Sequence, residues 1–291
     1  MKLQSAQIGA DSYFKISDSD TIRPFFMSIV SDSDHWMFIS SNGGLSAGRK
    51  NADYALFPYY TDDKITESVE ITGSKSVFRV KHGDVQHIWE PFSNRYEGIH
   101  RSSRNLYKHI FGNKIIFEEI NHDLQLSFQV EWNSSDKFGF VRKSRLINQG
   151  SAAVSIALLD GIQNIMPYGV PSSLQNSASN LVDAYKRSEL DRATGLGIYA
   201  LSAIIVDKAE PSEALKGNVA WSLGLENPTY LLSSLQLGAF RKGAQVLQEE
   251  DVKAEKGAYF LHQEIALAPQ EEKEWMIVAN LNQSHVAVAQ L

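Results

Sequence analysis

An unbroken alternation of apolar and polar residues marks the stretch from 124 to 132. Its apolar positions are Leu124, Leu126, Phe128, Val130 and Trp132. A period of two residues places one set of side chains against a core and the other towards water, which is typical of an antiparallel sheet. The run "KFGFVRKSRLIN" follows after "NSSD", so the two stretches together predict a β-hairpin.

Further strands are predicted on both sides of this hairpin. Near the N-terminus, two "SDSD" clusters separate the runs "SYFKI", "TIRPFFMSIV" and "HWMFISS", and Ser and Asp favour turns because their short side chains bond the local backbone. "SAAVSIALL" follows the turn "NQG", and near the C-terminus "PQE" separates "AYFLHQEIALA" from "EKEWMIVANL". The chain is therefore predicted to be a succession of antiparallel strands.

One segment, 171–190, has a helical period instead. The apolar residues on its predicted helical face are Leu174, Ala178, Leu181, Val182 and Tyr185. Ser172 and Gln175, just after Pro171, resemble a capping box. We predict one α-helix of about five turns here, with a strand resuming at "GLGIYALSAIIV".

The chain carries no Pro- or Gly-rich linker and no internal repeat. Its 291 residues are 43% hydrophobic, which is enough for a large core. We therefore predict a single, mainly all-β domain over 1–291, a two-sheet antiparallel sandwich with one embedded helix near 172–190.

Composition narrows the functional classes. The formal net charge is -6 and the basic residues are scattered, so no nucleic-acid partner is predicted. The absence of cysteine excludes disulfides, thiolate zinc sites, iron–sulfur clusters and cysteine nucleophiles. The N-terminus lacks the apolar core of a secretion signal, and no window reaches the roughly 18 apolar residues of a membrane span. We expect a soluble, cytoplasmic protein without a membrane partner.

No catalytic or cofactor motif is recognisable. "TGLG" follows a predicted helix and precedes a strand, the reverse of a dinucleotide-binding order. His82 and His87 would converge only across a turn. Carboxylates are plentiful, but the adjacent Glu118 and Glu119 would point to opposite faces of a strand, and we interpret the acids as solvated or ion-paired. We predict no cofactor, no metal and no catalytic residue.

Two segments combine aromatic and polar residues. The first, 41–64, contributes the candidate site residues Asn42, Gly43, Gly44, Arg49, Tyr59, Tyr60, Asp62 and Asp63. The second, 87–112, contributes Trp89, Arg95 and Tyr96. Sugars bind where aromatic faces meet their C–H groups while polar side chains bond the hydroxyls, but Tyr, Trp and Arg also dominate protein interfaces. A carbohydrate-binding surface, an interdomain surface and a plain ordered loop all stay open.

The stretches "SNGGLSAGRKNADYALFPYYTDD" and "LLDGIQNIMPYGV" resemble the N-terminal domain of bacterial cellobiose phosphorylase-like proteins, among the inverting glycoside phosphorylases and related hydrolases. The resemblance spans most of the chain and includes the closing hairpin, "IALAPQEEKEWMIVANL". It implies a two-sheet supersandwich of the galactose mutarotase-like kind. In that group a helical linker and an (α/α) barrel follow, and the barrel carries the general acid.

The resemblance implies a non-catalytic N-terminal domain of a carbohydrate-active enzyme, whose parent protein is a glycoside phosphorylase or glycoside hydrolase. Its expected partners are an oligosaccharide or sugar and a C-terminal (α/α) barrel of the same protein; a homodimer through the barrel-facing surface stays open. Segment 41–64 would dock on the barrel and face the sugar, with Asn42 to Gly44 matching the family's "NGG" turn. Asp160 and Asn164 are expected to fix a turn.

Two alternatives remain. The chain is a stand-alone carbohydrate-binding module, or it is an aldose 1-epimerase. Epimerase chemistry needs a base and an acid on opposite sides of the sugar ring, for which Glu118 and His122 are the candidates.

Overall fold

The structure, a computed structural model, describes residues 2–83, 85–203, 205 and 216–291. Within these residues the chain forms three antiparallel sheets, and the prediction of a mainly β, antiparallel sandwich is confirmed. No helix in this part of the chain is long and apolar enough to cross a membrane. Ile204 and Val206, at the end of the strand predicted after residue 195, lie outside the described residues.

The strands are β1 (Lys2–Ile8), β2 (Asp11–Ser17), β3 (Phe26–Ile29), β4 (His35–Ser40), β5 (Leu45–Arg49), β6 (Ala55–Phe57), β7 (Gly73–His82), β8 (Val85–Trp89), β9 (Ser102–His109), β10 (Ile115–Asn121), β11 (Leu126–Ser135), β12 (Gly139–Asn148), β13 (Val154–Ile165), β14 (Lys186–Asp191), β15 (Leu196–Leu201), β16 (Lys216–Leu223), β17 (Thr229–Leu231), β18 (Asp251–Lys253), β19 (Gly257–Leu267) and β20 (Glu272–Ser284). The helices are α1 (Asp62–Glu67), α2 (Ser172–Ser177), α3 (Ser179–Tyr185), α4 (Leu237–Arg241) and α5 (His285–Ala289), with short 3-10 helices at Ser19–Thr21 and Ser68–Glu70.

The large sheet has 11 strands in the order β1-β2-β9-β10-β11-β12-β20-β16-β15-β14-β18. A five-stranded sheet, β17-β19-β13-β7-β8, shares one apolar core with it, and a four-stranded sheet, β3-β4-β5-β6, adds to the two sheets that were predicted. The hairpin predicted from alternation is present, since β11 pairs with β12 in antiparallel register. On β11, Phe128 and Trp132 are buried whereas Gln129 and Glu131 are half-buried.

A fully buried ion pair joins the two larger sheets at their centre. Asp160 on β13 accepts hydrogen bonds from both terminal nitrogens of Arg142 on β12, at 2.7 and 2.8 Å. The same carboxylate accepts from Trp275 Nε1 on β20 at 2.6 Å and from Ser76 Oγ on β7 at 2.5 Å. Ser144 Oγ, which accepts from Arg142, adds a further bond to Asp160 at 3.1 Å. We call these groups the Arg142–Asp160 network.

Asp160 and Asn164 do not fix a turn, contrary to expectation. Asp160 lies in the middle of β13, and its partners are side chains of neighbouring and facing strands. Asn164 adopts a left-handed backbone with φ 60° at a register shift between Gln163 and Ile165, and its amide donates to Thr72 Oγ1 at 2.8 Å. Both residues have structural roles, but these roles come from long-range contacts.

The helical segment lies where its pattern predicts it, but it is divided in two. Ala178 has φ -144° and ψ 43°, which interrupts the helix between α2 and α3. The expected cap of Ser172 is replaced by bonds from its amide and hydroxyl to Asp53. The helix ends at Tyr185, because the following residues form β14, which pairs with β15 and β18.

The tight turn between β4 and β5 depends on its glycines. Gly43 has φ 97°, a left-handed conformation that glycine adopts without steric cost. At Gly44 an added Cβ would lie 2.0 Å from the carbonyl oxygen of Ile65 in α1. The glycine therefore lets this turn approach α1 of the same chain closely.

We expect Asp160→Asn to lower the free energy of unfolding by about 3–5 kcal/mol, because it leaves the buried Arg142 guanidinium without its counter-charge. Urea unfolding followed by tryptophan fluorescence measures this. Asp251→Asn is the control, since Asp251 pairs with Arg187 at the surface and should change stability little. Equal effects of the two substitutions would contradict the role given to the network.

We expect Gly44→Ala to destabilise the protein by about 1–3 kcal/mol, the usual cost of forcing extra volume into a packed site. The same substitution at Gly238 in α4, where an added Cβ meets nothing within 4 Å, is the matched control and should be neutral or slightly stabilising. Thermal melts of the two variants provide the comparison. A Gly44→Ala protein as stable as the wild type would show that the turn relaxes away from Ile65.

Candidate functional site

A cleft of about 290 Å³ opens between β9 and β10 on one side and β8 with the loop 90–101 on the other. Its apolar lining includes Trp89, Phe92, Tyr96 and Phe117, and its polar lining includes Asn42, Arg104, Glu119 and Asn121. Small-molecule sites typically occupy about 300–1,000 Å³ and combine apolar walls with a few placed polar groups. The cleft has this mixed character, and its volume lies just below that range.

A buried carboxylate organises one wall of the cleft. Glu119 on β10 accepts the indole N–H of Trp89 at 2.7 Å and the backbone N–H of Phe92 at 2.7 Å. Arg104 Nε on the paired strand β9 donates to the same carboxylate at 2.7 Å. Both carboxylate oxygens therefore have partners, and Glu119 holds the indole of Trp89 in one orientation.

Arg104 also attaches the loop 90–101 to the large sheet. Its terminal nitrogens donate to the Ser93 carbonyl at 2.8 Å and to Asn94 Oδ1 at 3.1 Å. At the far end of the loop, the backbone and side chain of Arg101 both bond Asp123. The loop is thus tied down at both ends beside the cleft.

A second ionic group adjoins the cleft, whose lining includes Glu70 and Glu90. Glu90 has a fully buried side chain and accepts from Arg241 at 2.8 and 2.9 Å and from Lys75 at 2.5 Å. Lys75 also pairs with Glu70. Burial alone would raise the pKa of the Glu90 carboxyl, but the bonds from Arg241 and Lys75 outweigh it, so that its pKa lies below the ordinary value. Glu90 is therefore ionised and structural.

Other polar groups at the cleft remain available. Asp20 and Glu97 are exposed at its rim, and neither forms an ion pair within the described residues. Asn121 is fully buried; its Oδ1 accepts from the Leu124 amide at 3.0 Å, whereas Nδ2 has no hydrogen-bond partner among the residues that the structure describes. Ser102, the cross-strand partner of Asn121, is exposed at the cleft.

Four of the predicted site residues lie at or beside the cleft. Trp89 and Tyr96 line it, and so does Asn42. The Asn42 side chain also has an internal role, since it donates to the Thr66 carbonyl at 2.9 Å and accepts from the Gly44 amide at 3.1 Å. Arg95 is half-exposed and approaches Glu90 at 3.7 Å.

Two further candidates, Gly43 and Arg49, lie apart from the cleft lining. Gly43 lines a separate cavity of about 30 Å³. Arg49, at the other end of β5, donates from Nε to Asp34 at 2.6 Å and lies 3.5 Å from Asp136. The guanidinium of Arg49 therefore serves ion pairs within the chain.

The residues after β6 surround the start of α1. Asp62 and Asp63 occupy its first turn, where negative charge is favourable, and Asp63 accepts the Lys64 amide at 2.9 Å. Burial raises the pKa of the Tyr60 phenol. Asp62 and Asp63 therefore stabilise the start of α1, whereas Tyr60 is half-buried and Tyr59 is 41% exposed.

Tyr59 belongs to a cluster that the sequence patterns did not single out. Phe26, Trp36 and Phe38 lie on the outer side of the four-stranded sheet, with ring centroids 5.5 Å apart for Phe26–Phe38 and 5.7 Å for Trp36–Phe38. The Tyr59 ring meets Trp36 edge-on at 5.6 Å. The indole of Trp36 has room because β5 has a glycine opposite it, at Gly48. We call Phe26, Trp36, Phe38 and Tyr59 the aromatic face.

The epimerase candidate Glu118 points away from the cleft, as expected from its position next to Glu119. Its oxygens accept from Asn105 at 2.8 Å, Tyr107 at 2.8 Å and Gln129 at 2.7 Å. Burial raises the pKa of the Tyr107 phenol, and the Glu118 charge raises it further. Glu118 is thus engaged in a hydrogen-bond network on the outer side of the large sheet.

The histidine candidates lie near two turns: His82 and His87 flank the β7–β8 turn, and His122 follows β10. His122 Nε2 lies 3.0 Å from Ser103 Oγ. His82 and His87 meet across the β7–β8 turn with ring centroids 6.2 Å apart, and His100 lies 6.0 Å from His87. Among the described residues, no three histidine or acidic side chains are grouped so that they could hold a metal.

The sequence analysis included Arg104 only as part of segment 87–112, and it missed Asn121 as a cleft residue. Glu119, Arg104 and Asn121 alternate with outward-facing residues on two paired strands, β9 and β10. The only signal in the sequence is a polar residue on the core-facing side of a strand, and this signal does not reveal the partner strand.

No protein-family model matches this sequence, and no curated protein sequence matches it. Among solved structures, a bacterial glucoamylase in complex with acarbose matches with a TM-score of 0.50 at 9% identity, over 99% of this chain and 37% of the glucoamylase. A polysaccharide lyase matches with a TM-score of 0.45 at 12% identity, over 90% of this chain and 33% of the lyase.

A protein from Escherichia coli K12 described as an aldose 1-epimerase gives a TM-score of 0.37 at 11% identity, over 89% of this chain and 99% of that protein. This chain spans about a third of the length of the glucoamylase and of the lyase. At such low identity, the match to the glucoamylase shows that this chain shares its β-sandwich fold with part of that enzyme.

Proposed function

We propose that this chain is a non-catalytic β-sandwich domain of a carbohydrate-active enzyme of the glycoside phosphorylase or glycoside hydrolase kind. In this proposal it packs against an (α/α) barrel of the same protein and helps to line the sugar site. Its partners are then an oligosaccharide and the barrel.

The observation that carries the proposal is the match to the glucoamylase. It includes 99% of this chain but only 37% of that enzyme, the ratio expected if the chain corresponds to one domain of a larger protein. A shared fold does not by itself define an activity, because one fold can carry many functions. The side chains therefore have to supply the rest of the argument.

The buried carboxylates support a non-catalytic role. Asp160, Glu90 and Glu119 each have cationic partners within 2.9 Å, and Glu118 accepts three hydrogen bonds. A glycosidase needs one carboxyl group that donates a proton and a second that acts as base or nucleophile. Carboxylates held in such networks are suited to structure rather than to proton transfer.

The aromatic face supports docking on a second domain. Phe26 and Tyr59 remain 46% and 41% exposed, and contiguous exposed aromatic residues commonly mark interaction surfaces. We assign the face to the barrel, because barrel contact is the role proposed for segment 41–64, to which Tyr59 belongs.

A stand-alone carbohydrate-binding module is the second candidate function. The cleft favours it, since Trp89, Tyr96 and several polar groups converge there without any partner domain. The size of the native protein separates the two candidates.

We expect the native polypeptide to be much larger than 32.5 kDa. Immunoblots of the producing cells, with antibody raised against this chain and purified chain as the size marker, measure this directly. A native band at 32.5 kDa would overturn the domain proposal and favour the stand-alone module.

We expect the isolated 291-residue chain to self-associate through the aromatic face, because the barrel does not cover it. Sedimentation velocity over a concentration series should show the self-association, and Phe26→Ser with Tyr59→Ser should weaken it. Phe111→Ser is the control, since Phe111 is 75% exposed at the β9–β10 turn, outside the face. A wild-type chain that stays monomeric throughout, or a control as effective as the double variant, would contradict the docking role.

A further inference from the structure

We propose that the cleft between β8 and β9–β10 binds a single uncharged sugar residue and that the Asn121 amide donates a hydrogen bond to one of its oxygens. This inference rests on the proposed carbohydrate function, and it adds the class of sugar and the side chain that recognises it.

The shape of the cleft fits one ring. Its volume of about 290 Å³ lies just below the range of drug-sized sites. Trp89 and Phe117 supply apolar wall, and Tyr96 adds an aromatic ring at the loop. Aromatic walls match the C–H faces of a sugar ring, and the polar lining matches its hydroxyls. A longer oligosaccharide would extend into solvent.

The charges in the cleft exclude anionic sugars. Arg104 in the cleft lining pairs with Glu119 at 2.7 Å, and Lys75 is paired with the lining acids Glu70 and Glu90. Arg95, beside the cleft, lies 3.7 Å from Glu90. The acids at the rim, Asp20 and Glu97, have no ion pair within the described part of the chain. A phosphate or carboxylate on the ligand would meet repulsion from these two acids at the entrance, and the lining arginine is already paired.

Asn121 provides a donor that lacks a partner. The Leu124 amide fixes the orientation of the side-chain amide, since it needs Oδ1 as acceptor. This leaves Nδ2 without a partner among the described residues, although Asn121 is fully buried. Buried donors are almost always hydrogen-bonded, and an exception calls for an explanation.

A ligand hydroxyl in the cleft supplies that explanation. Asn121 lies in the cleft lining next to its cross-strand partner Ser102, whose hydroxyl forms no hydrogen bond in the described part of the chain. An amide donor and a free hydroxyl on adjacent strands can bond neighbouring oxygens of one ring. The pair thus defines a polar part of the cleft lining.

Isothermal titration calorimetry tests the inference with four single-ring probes: glucose, galactose, glucuronate and glucose 6-phosphate. We expect at least one of the two neutral sugars to bind and neither anion to bind under the same conditions. Binding of either anion as tightly as the neutral sugar, or binding of none of the probes by folded protein, would overturn the inference.

Asn121→Asp keeps the acceptor for the Leu124 amide and the side-chain shape while removing the donor. We expect it to weaken neutral-sugar binding about tenfold or more, the loss typical of one hydrogen bond in a shielded site. Asn176→Asp is the matched control. Asn176 is exposed on α2, so this substitution makes the same chemical change away from the cleft. Equal affinities of the two variants would rule out the role of Asn121.

Two measurements keep the test decisive if Asn121→Asp fails to fold. In wild-type protein, the side-chain amide signal of Asn121 should shift in a two-dimensional nitrogen–proton spectrum on addition of the bound sugar. The double variant Asp20→Asn, Glu97→Gln changes only exposed side chains. Because it removes the two negative charges at the rim, it should raise the affinity for glucuronate. An unmoved Asn121 signal at saturation, or unchanged glucuronate affinity, would contradict the corresponding part of the inference.

The outcomes separate this inference from the proposed function. A native band much larger than 32.5 kDa with no sugar bound in the cleft leaves the domain proposal standing and overturns the cleft assignment. A band at 32.5 kDa with selective binding of the neutral sugar overturns the proposal that the chain packs on a barrel of the same protein. It supports the proposal that the cleft binds a neutral sugar.

Discussion

The Arg142–Asp160 network is the constraint on which the sandwich depends. Apolar packing between two sheets is non-directional, so it alone would tolerate sliding of one sheet over the other. A buried ion pair costs a large desolvation energy unless its geometry is good and its remaining groups are bonded. Here Asp160 on the five-stranded sheet bonds Arg142 and Trp275 on the large sheet, and we interpret this directional contact as what fixes the register between them.

The cleft inherits its geometry from this register. The five-stranded sheet continues from β13 through β7 to β8, which ends in Trp89, and the large sheet continues from β12 through β11 to β10, which carries Glu119. The 2.7 Å bond between the Trp89 indole and Glu119 therefore joins the two sheets again, at the cleft. Arg104 extends the contact to the loop beside it. One central ion pair and one peripheral carboxylate thus hold the walls of the cleft at a set distance.

Much of segment 41–64 serves the fold rather than a ligand. Asn42 and Gly44 tie the β4–β5 turn to α1, Arg49 forms ion pairs, and Tyr59 joins an aromatic face built mainly by residues from β3 and β4. Polar and aromatic residues in one segment show only that it contains groups able to bind a ligand. Which groups stay free depends on the neighbours that the fold brings to them, and only Trp89, Tyr96 and Asn42 among the candidates reach the cleft.

The sequence by itself determined the strands that clear apolar runs and turn residues mark, the β11–β12 hairpin, the antiparallel sandwich and the opposite directions of Glu118 and Glu119, because period-two alternation and turn residues act over a few positions along the chain. The sequence pattern placed the helical segment correctly but not the end of the helix. The helix stops at Tyr185 because the residues after it form β14, which pairs with β15 and β18. Tertiary structure alone decided that Asp160 meets Arg142, that Trp89 meets Glu119 and that the Asn121 amide donor has no partner among the described residues. These contacts join residues 18 and 30 positions apart, and their partners follow from strand order, which no local pattern encodes.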